Sequence, residues 1–145
     1  MSKLENKMNV FLADLNVFYR KLQNFHWNVT GKGFFTIHAK LEEYYDDINE
    51  QIDELAERIL SIKGRPYATM KKYLEITNIK EAKDEEIKDT EIVEFLKADF
   101  NTILEEAKKI KALADEGSDY GTSAMIDGFI GDYEKKLWML SAFSK

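Results

Sequence analysis

The sequence contains no cysteine. This absence excludes a disulfide framework, a thiolate zinc site, an iron–sulfur cluster and a cysteine nucleophile. The N-terminal residues lack the apolar core of a signal peptide, and no run approaches the ~18 apolar residues that a membrane span requires. We therefore expect a cytoplasmic protein without membrane contact.

Proline and glycine are scarce, with one and seven occurrences among 145 residues. Strand-rich folds need frequent turn residues, whereas this composition leaves long uninterrupted stretches. Hydrophobic residues make up 44% and charged residues 33%, which suits a core covered by exposed helix faces. The composition predicts a single all-α domain over residues 1–145.

Positive charge is in the minority, because 21 Lys and Arg residues stand against 27 Asp and Glu residues, a formal net charge of -6. Generic binding to nucleic acids or anionic membranes depends on excess Lys and Arg. The charge balance therefore argues against both kinds of partner.

Apolar residues recur at three- and four-residue spacing in four long segments, which predicts four long helices. We expect helices over residues 2–28, 34–62 and 90–113, and a fourth that carries the apolar positions from 125 to 143. Residues 67–76 could form a short helix, and residues 77–89 a charged loop. Gly64 is expected to end the second helix in a left-handed conformation, Pro66 to open the next helix and Thr90 to cap the third long one.

The connection between the second and third long helices is much longer than the other two. Short loops join antiparallel neighbours, and one long crossover is typical of ferritin-like bundles. Topology alone leaves that fold as one of several four-helix arrangements.

Residues that can carry chemistry are concentrated in the second helix. His26 and His38 are the only histidines. From position 38 to 57, eight acids accompany a single lysine, and such crowding of like charges costs helix stability unless cations offset it. These acids are Glu42, Glu43, Asp46, Asp47, Glu50, Asp53, Glu54 and Glu57.

Helical geometry separates four candidate ligands into two pairs. His38, Glu42, Asp53 and Glu57 lie within about 100° on one side of the apolar stripe, yet Glu42 and Asp53 are about 16 Å apart along the axis. A shared metal site therefore needs two antiparallel copies of the helix across a twofold axis, which creates two sites per dimer. Imidazole and carboxylate ligands suit Fe(II) or Zn(II). Charged i,i+4 pairs also form ordinary solvated faces, and the Glu-x-x-His signature of bundle di-iron sites is absent, so spacing leaves both interpretations open.

The residues around both histidines resemble the signature of the Dps family, the mini-ferritins named as DNA-binding proteins from starved cells. Residues 26–38 read His-Trp-Asn-Val-Thr-Gly-Lys-Gly-Phe-Phe-Thr-Ile-His, and Glu42 and Asp53-Glu-Leu-Ala-Glu57-Arg58 follow. The four-helix layout with a short crossover helix matches over nearly the whole chain.

This resemblance implies a ferritin-like bundle that assembles twelve copies into a hollow shell. It also implies oxidation of Fe(II) by hydrogen peroxide or oxygen at sites between twofold-related subunits, storage of the ferric mineral and protection against oxidative damage. Zn(II) could substitute for iron.

Carried over by position, the resemblance implies that His26, His38 and Glu42 come from one subunit and Asp53 and Glu57 from its partner. These five residues are the expected metal ligands and catalytic residues. The family most often has Asp where this chain has Glu42, so the coordination mode of the longer side chain is open.

Two tryptophans and the start of the last helix also resemble the family. Trp27 corresponds to the tryptophan beside the iron site or fills a subunit contact, and Trp138 is expected to serve packing. Family pores are lined by acids near the start of the last helix, although Ala124 stands where an acid is common. The acids available here are Asp115, Glu116, Asp119 and Asp127.

Direct DNA binding is expected to be absent at physiological salt. Family members that bind DNA often carry a mobile Lys-rich tail, whereas here only Lys3 and Lys7 lie near the start, with Glu5 between them. The alternative function is a DNA-compacting starvation protein with secondary metal binding. A zinc-occupied shell without turnover is a third, less favoured option.

Overall fold

The computed structural model describes residues 1–145. It contains four long helices and a short one: α1 (Lys3–Asn28), α2 (Phe34–Ser61), α3 (Met70–Ile76), α4 (Asp89–Glu116) and α5 (Tyr120–Phe143). Two short strands, β1 (Val29–Thr30) and β2 (Ile87–Lys88), pair in parallel. The predicted all-α layout, with a short helix in the crossover, is confirmed.

The directions of the helices explain the long crossover. Phe18 of α1 contacts Phe100 of α4 at 5.0 Å between ring centroids, and Phe25, further along α1, contacts Phe95, earlier in α4, at 5.8 Å. The two helices therefore run antiparallel. A tight turn joins α1 to α2, so α2 and α4 run in the same direction. The chain must therefore return along the bundle between them, and residues 62–88 make this return.

A single hydrophobic core of 30 buried residues lies between the long helices. Tyr133 of α5 is fully buried in it, and its hydroxyl donates to Gln51 Oε1 at 2.6 Å. Burial raises the pKa of Tyr133 well above its ordinary value. The buried phenol thus joins α5 to α2 as a neutral donor. None of the helices combines the length and apolar character that a membrane span requires.

Buried polar side chains of α1 hold the crossover against the bundle. Asn9 accepts from the backbone N–H of Tyr67 at 2.9 Å. Asp14 accepts from Thr77 Oγ1 at 2.7 Å and from the backbone N–H of Asn78 at 2.6 Å. Burial raises the pKa of Asp14, and these donors offset part of the cost of burying a carboxylate. Two polar residues in an apolar helix face therefore fix the path of the return segment.

The end of α2 corrects the expectation for Gly64. The left-handed residue is Lys63, with φ of 70°. Its N–H donates to the carbonyl of Leu60 at 2.9 Å, and the N–H of Gly64 donates to that of Ile59 at 2.8 Å, which forms a Schellman motif. A Cβ on Gly64 would instead collide with the carboxylate of Glu5. Glycine thus leaves room at this position for the side chain of Glu5 to approach the backbone closely.

Two helix starts also differ from the expectation. Pro66 does not open α3, which begins at Met70 after the capping residue Thr69. Thr90 does not cap α4, because β2 pairs with β1 up to position 88 and the helix begins at Asp89. The predicted charged loop over residues 77–89 therefore ends in a strand.

Candidate functional site

Both histidines lie beside the turn that joins α1 to α2, His26 in the last turn of α1 and His38 in the second turn of α2. His26 Nδ1 donates to the carbonyl O of His38 at 2.6 Å, and His38 Nδ1 donates to that of His26 at 2.7 Å. A carbonyl oxygen can only accept, so the proton of each neutral ring is on Nδ1. Each Nε2 therefore keeps the lone pair that a metal ligand needs.

Ring contacts fix the orientation of both imidazoles. The rings of His26 and His38 stack with centroids 3.7 Å apart and an interplanar angle of 11°. Phe34 stacks with the ring of His38 at 4.9 Å, and Tyr45 lies edge-on to that of His26 at 5.4 Å. His26 is buried. The pair is consequently held in place before any metal binds.

Glu42 lies one helical turn after His38 and faces the same cluster. Its Oε1 is 4.0 Å from His26 Nε2, and 59% of its side chain is exposed. The hydroxyl of Tyr45 donates to the same Oε1 at 3.3 Å. Loss of hydration and the nearby Glu42 carboxylate raise the pKa of Tyr45 above its ordinary value. We call His26, His38 and Glu42 the histidine half-site.

Asp53 and Glu57, the acidic half-site, lie near the other end of α2. Both residues are exposed, and neither carboxylate has a hydrogen bond or ion pair in the chain. The adjacent Arg58 does not approach them, because its guanidinium donates to Thr122 Oγ1 at 3.0 Å and Asp119 Oδ1 at 2.9 Å. Partial burial alone would raise the pKa of Asp119, but hydrogen bonds from Thr122 and Arg58 outweigh it and lower the pKa.

The chain does not bring all five predicted ligands together. His38 and Glu42 of the histidine half-site lie on the same helix, α2, as Asp53 and Glu57, and the nearest residues of the two half-sites are about 16 Å apart along its axis. No group of three or more histidine, aspartate or glutamate side chains in the chain could hold a metal ion alone. The structure thus presents two incomplete half-sites.

Asp89, which sequence reasoning missed, ties down the turn that carries the histidines. Its Oδ2 accepts from the N–H of Gly33 at 2.6 Å, and its Oδ1 accepts from that of Thr90 at 2.8 Å. A Cβ on Gly31 (φ 119°) or Gly33 would collide with this carboxylate. One carboxylate therefore lies at the N-terminal ends of both α2 and α4, where the helix dipoles favour negative charge. The available sequence signal was a Gly-x-Gly turn together with an acid at the start of a later helix.

The two tryptophans lie on the surface of the chain. Trp27 is 60% exposed and Trp138 is 66% exposed. Arg20 lies over the ring of Trp27 at 5.8 Å. Trp138 does not pack in the core of this chain, because α5 turns Leu137 and Leu140 towards the core instead.

Most acids expected near the pore are paired with cations. Lys111 Nζ lies 3.0 Å from Asp127 Oδ2 and 3.7 Å from Asp115 Oδ2. The hydrogen bond with Asp127 raises the pKa of Lys111. Asp119 is held by the guanidinium described above, and Glu116 is exposed without an ion pair. Three of the four acids thus form ion pairs within the chain, with two cations between them.

Sequence comparison connects this geometry to known proteins. The family model described as a ferritin-like domain matches residues 5–145. The chain is 46% identical to DNA protection during starvation protein 2 of Bacillus anthracis over 136 residues, which cover 94% of this chain and 92% of that protein. It is 43% identical to general stress protein 20U of Bacillus subtilis over 141 residues, which cover 97% of each.

Crystal structures agree with the sequence relatives. The Dps protein of Vibrio cholerae O1, described as a member of a broad superfamily of ferritin-like diiron-carboxylate proteins, superposes with a TM-score of 0.95 at 43% identity, over 99% of this chain and 89% of that chain. Dps from Listeria innocua soaked with zinc superposes with a TM-score of 0.93 at 34% identity, over 97% of this chain and 95% of that chain. The ferritin-like fold expected from the sequence is confirmed, and the chain belongs to the Dps family of ferritin-like proteins.

Proposed function

We propose that this protein oxidises Fe(II) and stores the ferric product in a shell of its own subunits. The observation that carries the proposal is the reciprocal pair of Nδ1 hydrogen bonds between His26 and His38. It leaves the Nε2 lone pairs of both stacked rings free, and that of His26 lies 4.0 Å from the carboxylate of Glu42. Two imidazole nitrogens and carboxylate oxygens are a donor set that suits Fe(II), with Zn(II) as a substitute.

The complete site forms between two subunits. Antiparallel pairing of two α2 helices across a twofold axis brings the histidine half-site of one chain against Asp53 and Glu57 of the partner subunit. The distance along α2 between Glu42 and Asp53, and the absence of any partner for the two exposed acids, support this arrangement. The twelve-subunit shell and the cytoplasmic location remain predictions.

The reaction takes electrons from iron and gives them to an oxidant. Two Fe(II) ions each lose one electron, and one hydrogen peroxide accepts both as its O–O bond breaks. Hydrolysis of the ferric product releases protons. The chain contributes fixed imidazoles, which orient the bound Fe(II), and three carboxylates, whose negative charge favours the higher oxidation state. Oxygen is the alternative oxidant.

The test is Fe(II)-dependent peroxide consumption by the assembled protein under anaerobic conditions. We expect fast consumption and ferric absorbance from the wild type, and loss of most of the rate in His38→Ala. Asp46→Ala is the matched control, because this exposed acid lies on α2 outside both half-sites. Native mass measurement reports the number of subunits. Consumption no faster than that of Fe(II) without protein would contradict the proposal, and zinc in place of iron without turnover would favour the metal-storage alternative.

The names of relatives favour a second candidate function. Proteins from Bacillus anthracis and Brevibacillus brevis are called DNA protection during starvation proteins, which suggests DNA compaction. The charge of -6 per chain opposes phosphate binding, so we expect no gel shift at about 150 mM salt. A clean shift without added divalent metal would favour compaction.

A further inference from the structure

Tyr45 is not one of the predicted ligands, yet it contacts two of them. The edge of its ring lies against His26, and its hydroxyl donates to Glu42 Oε1. Residues three positions apart on a helix share a face, so α2 places Tyr45 beside Glu42. The hydroxyl therefore lies where a metal ligand must be oriented.

Tyr45 and Glu42 differ in mobility, which indicates that Tyr45 orients Glu42 and not the reverse. The ring of Tyr45 is held on one side by His26 and on another by Tyr19, whose ring lies edge-to-face at 5.9 Å. Glu42 is largely exposed and has a flexible side chain, which loses rotamer freedom when it is ordered. The fixed phenol can thus orient the mobile carboxylate.

We propose that Tyr45 is a positioning residue that holds the carboxylate of Glu42 beside Nε2 of His26 for metal binding. The inference rests on the proposed function. It explains how glutamate serves at a position where the family most often has aspartate. Glu42 reaches the Tyr45 hydroxyl only at 3.3 Å, so we expect the shorter side chain of Glu42→Asp to fall short of it.

The test is anaerobic Co(II) binding to the assembled protein, followed by calorimetry and by the visible absorption of the bound ion. Outer contacts to metal ligands typically contribute about 10–100-fold in affinity. Because this hydrogen bond is long and partly exposed, we expect Tyr45→Phe to weaken Co(II) binding by about tenfold and to change the absorption. Tyr44→Phe is the matched control, since it removes a neighbouring phenol hydroxyl that has no hydrogen bond, and it should leave both signals unchanged.

A double-mutant cycle separates positioning from packing. If Tyr45 acts through its hydrogen bond to Glu42, which Glu42→Asp already breaks, adding Tyr45→Phe to Glu42→Asp should cause no further loss of Co(II) affinity. The same loss in both backgrounds, or wild-type affinity and absorption in Tyr45→Phe, would overturn the inference. The proposed function has a separate check, because His38→Ala should lose Co(II) binding whatever the role of Tyr45. If His38→Ala binds like the wild type, both proposals are overturned.

Discussion

Both half-sites draw residues from α2, and the histidine half-site also includes His26 of α1, but the two are built in opposite ways. In the histidine half-site, backbone carbonyls and stacked rings fix the imidazoles of His26 and His38. In the acidic half-site, Asp53 and Glu57 are exposed and have no partner in the chain. One half is organised by the fold of a single chain, whereas the other gains a partner only through a second chain or a bound cation.

The difference has an energetic consequence. Asp53 and Glu57 are like charges at i,i+4 spacing, which destabilises a helix by a few tenths of a kcal/mol, roughly. Arg58 could have relieved this repulsion, but its guanidinium is held by Asp119, the residue that caps α5. A bound cation would relieve this repulsion, so the acidic half-site should favour metal binding.

The largest expected effect separates activity from stability. His38→Ala and Asp53→Ala should each lose most of the Fe(II)-dependent peroxide consumption. Only His38→Ala should destabilise the chain, by about 1–3 kcal/mol, because it removes the partly buried hydrogen bond from His38 Nδ1 to the carbonyl of His26. Asp53→Ala should change the free energy of unfolding by less than about 0.5 kcal/mol, as is usual for exposed positions. Initial rates and urea unfolding measure both quantities, and equal destabilisation by the two variants would contradict the difference between the half-sites.

A smaller effect is expected at the turn that carries the histidines. Asp89→Ala removes the acceptor of the Gly33 and Thr90 N–H groups and should cost about 1 kcal/mol, the usual value for a lost helix cap. It should also weaken Co(II) binding, because the start of α2 is released. Thr69→Ala is the matched control, since it removes the cap of α3, which is remote from the half-sites along the chain. If both variants bind Co(II) equally well, Asp89 supports the fold but not the site.

The smallest expected effect is a pH dependence at the ion pair that holds Arg58. The pKa of Asp119 is lowered in the folded chain, so folding favours the ionised carboxylate. The resulting stability is present above about pH 4 and is lost as the pH falls through the lowered pKa. Because the pair is partly exposed, the effect should stay below about 1 kcal/mol.

Unfolding in urea between about pH 3 and pH 6 measures this dependence. The difference in stability between the wild type and Asp119→Asn should shrink as the pH falls below about 4. Glu116→Gln, at an exposed acid without an ion pair, is the control and should show no such change. A constant difference between the wild type and Asp119→Asn across the range would contradict the role of the ion pair.

Local patterns predicted the helices, because apolar spacing depends only on which face of a helix is buried. They also indicated that His38 and Asp53 could not share a site within one chain. They did not predict Asp89, which contacts Gly33 across 56 positions of sequence, or the anchoring by Asp14 of a segment more than 60 positions away. Such contacts depend on the tertiary arrangement. At Lys63, the geometry of the helix end overrode the usual preference for glycine.

Co-assembly of two inactive variants examines the shared site itself. Each site in a pure His38→Ala or Asp53→Ala shell carries one lesion, so both parents should be nearly inactive. In a mixed dimer, one site carries both lesions and the other is intact, so random pairing should restore about a quarter of wild-type activity. Two affinity tags, one on each variant, allow mixed shells to be isolated and co-assembly to be verified. A mixture that stays as inactive as each parent would contradict the intersubunit site.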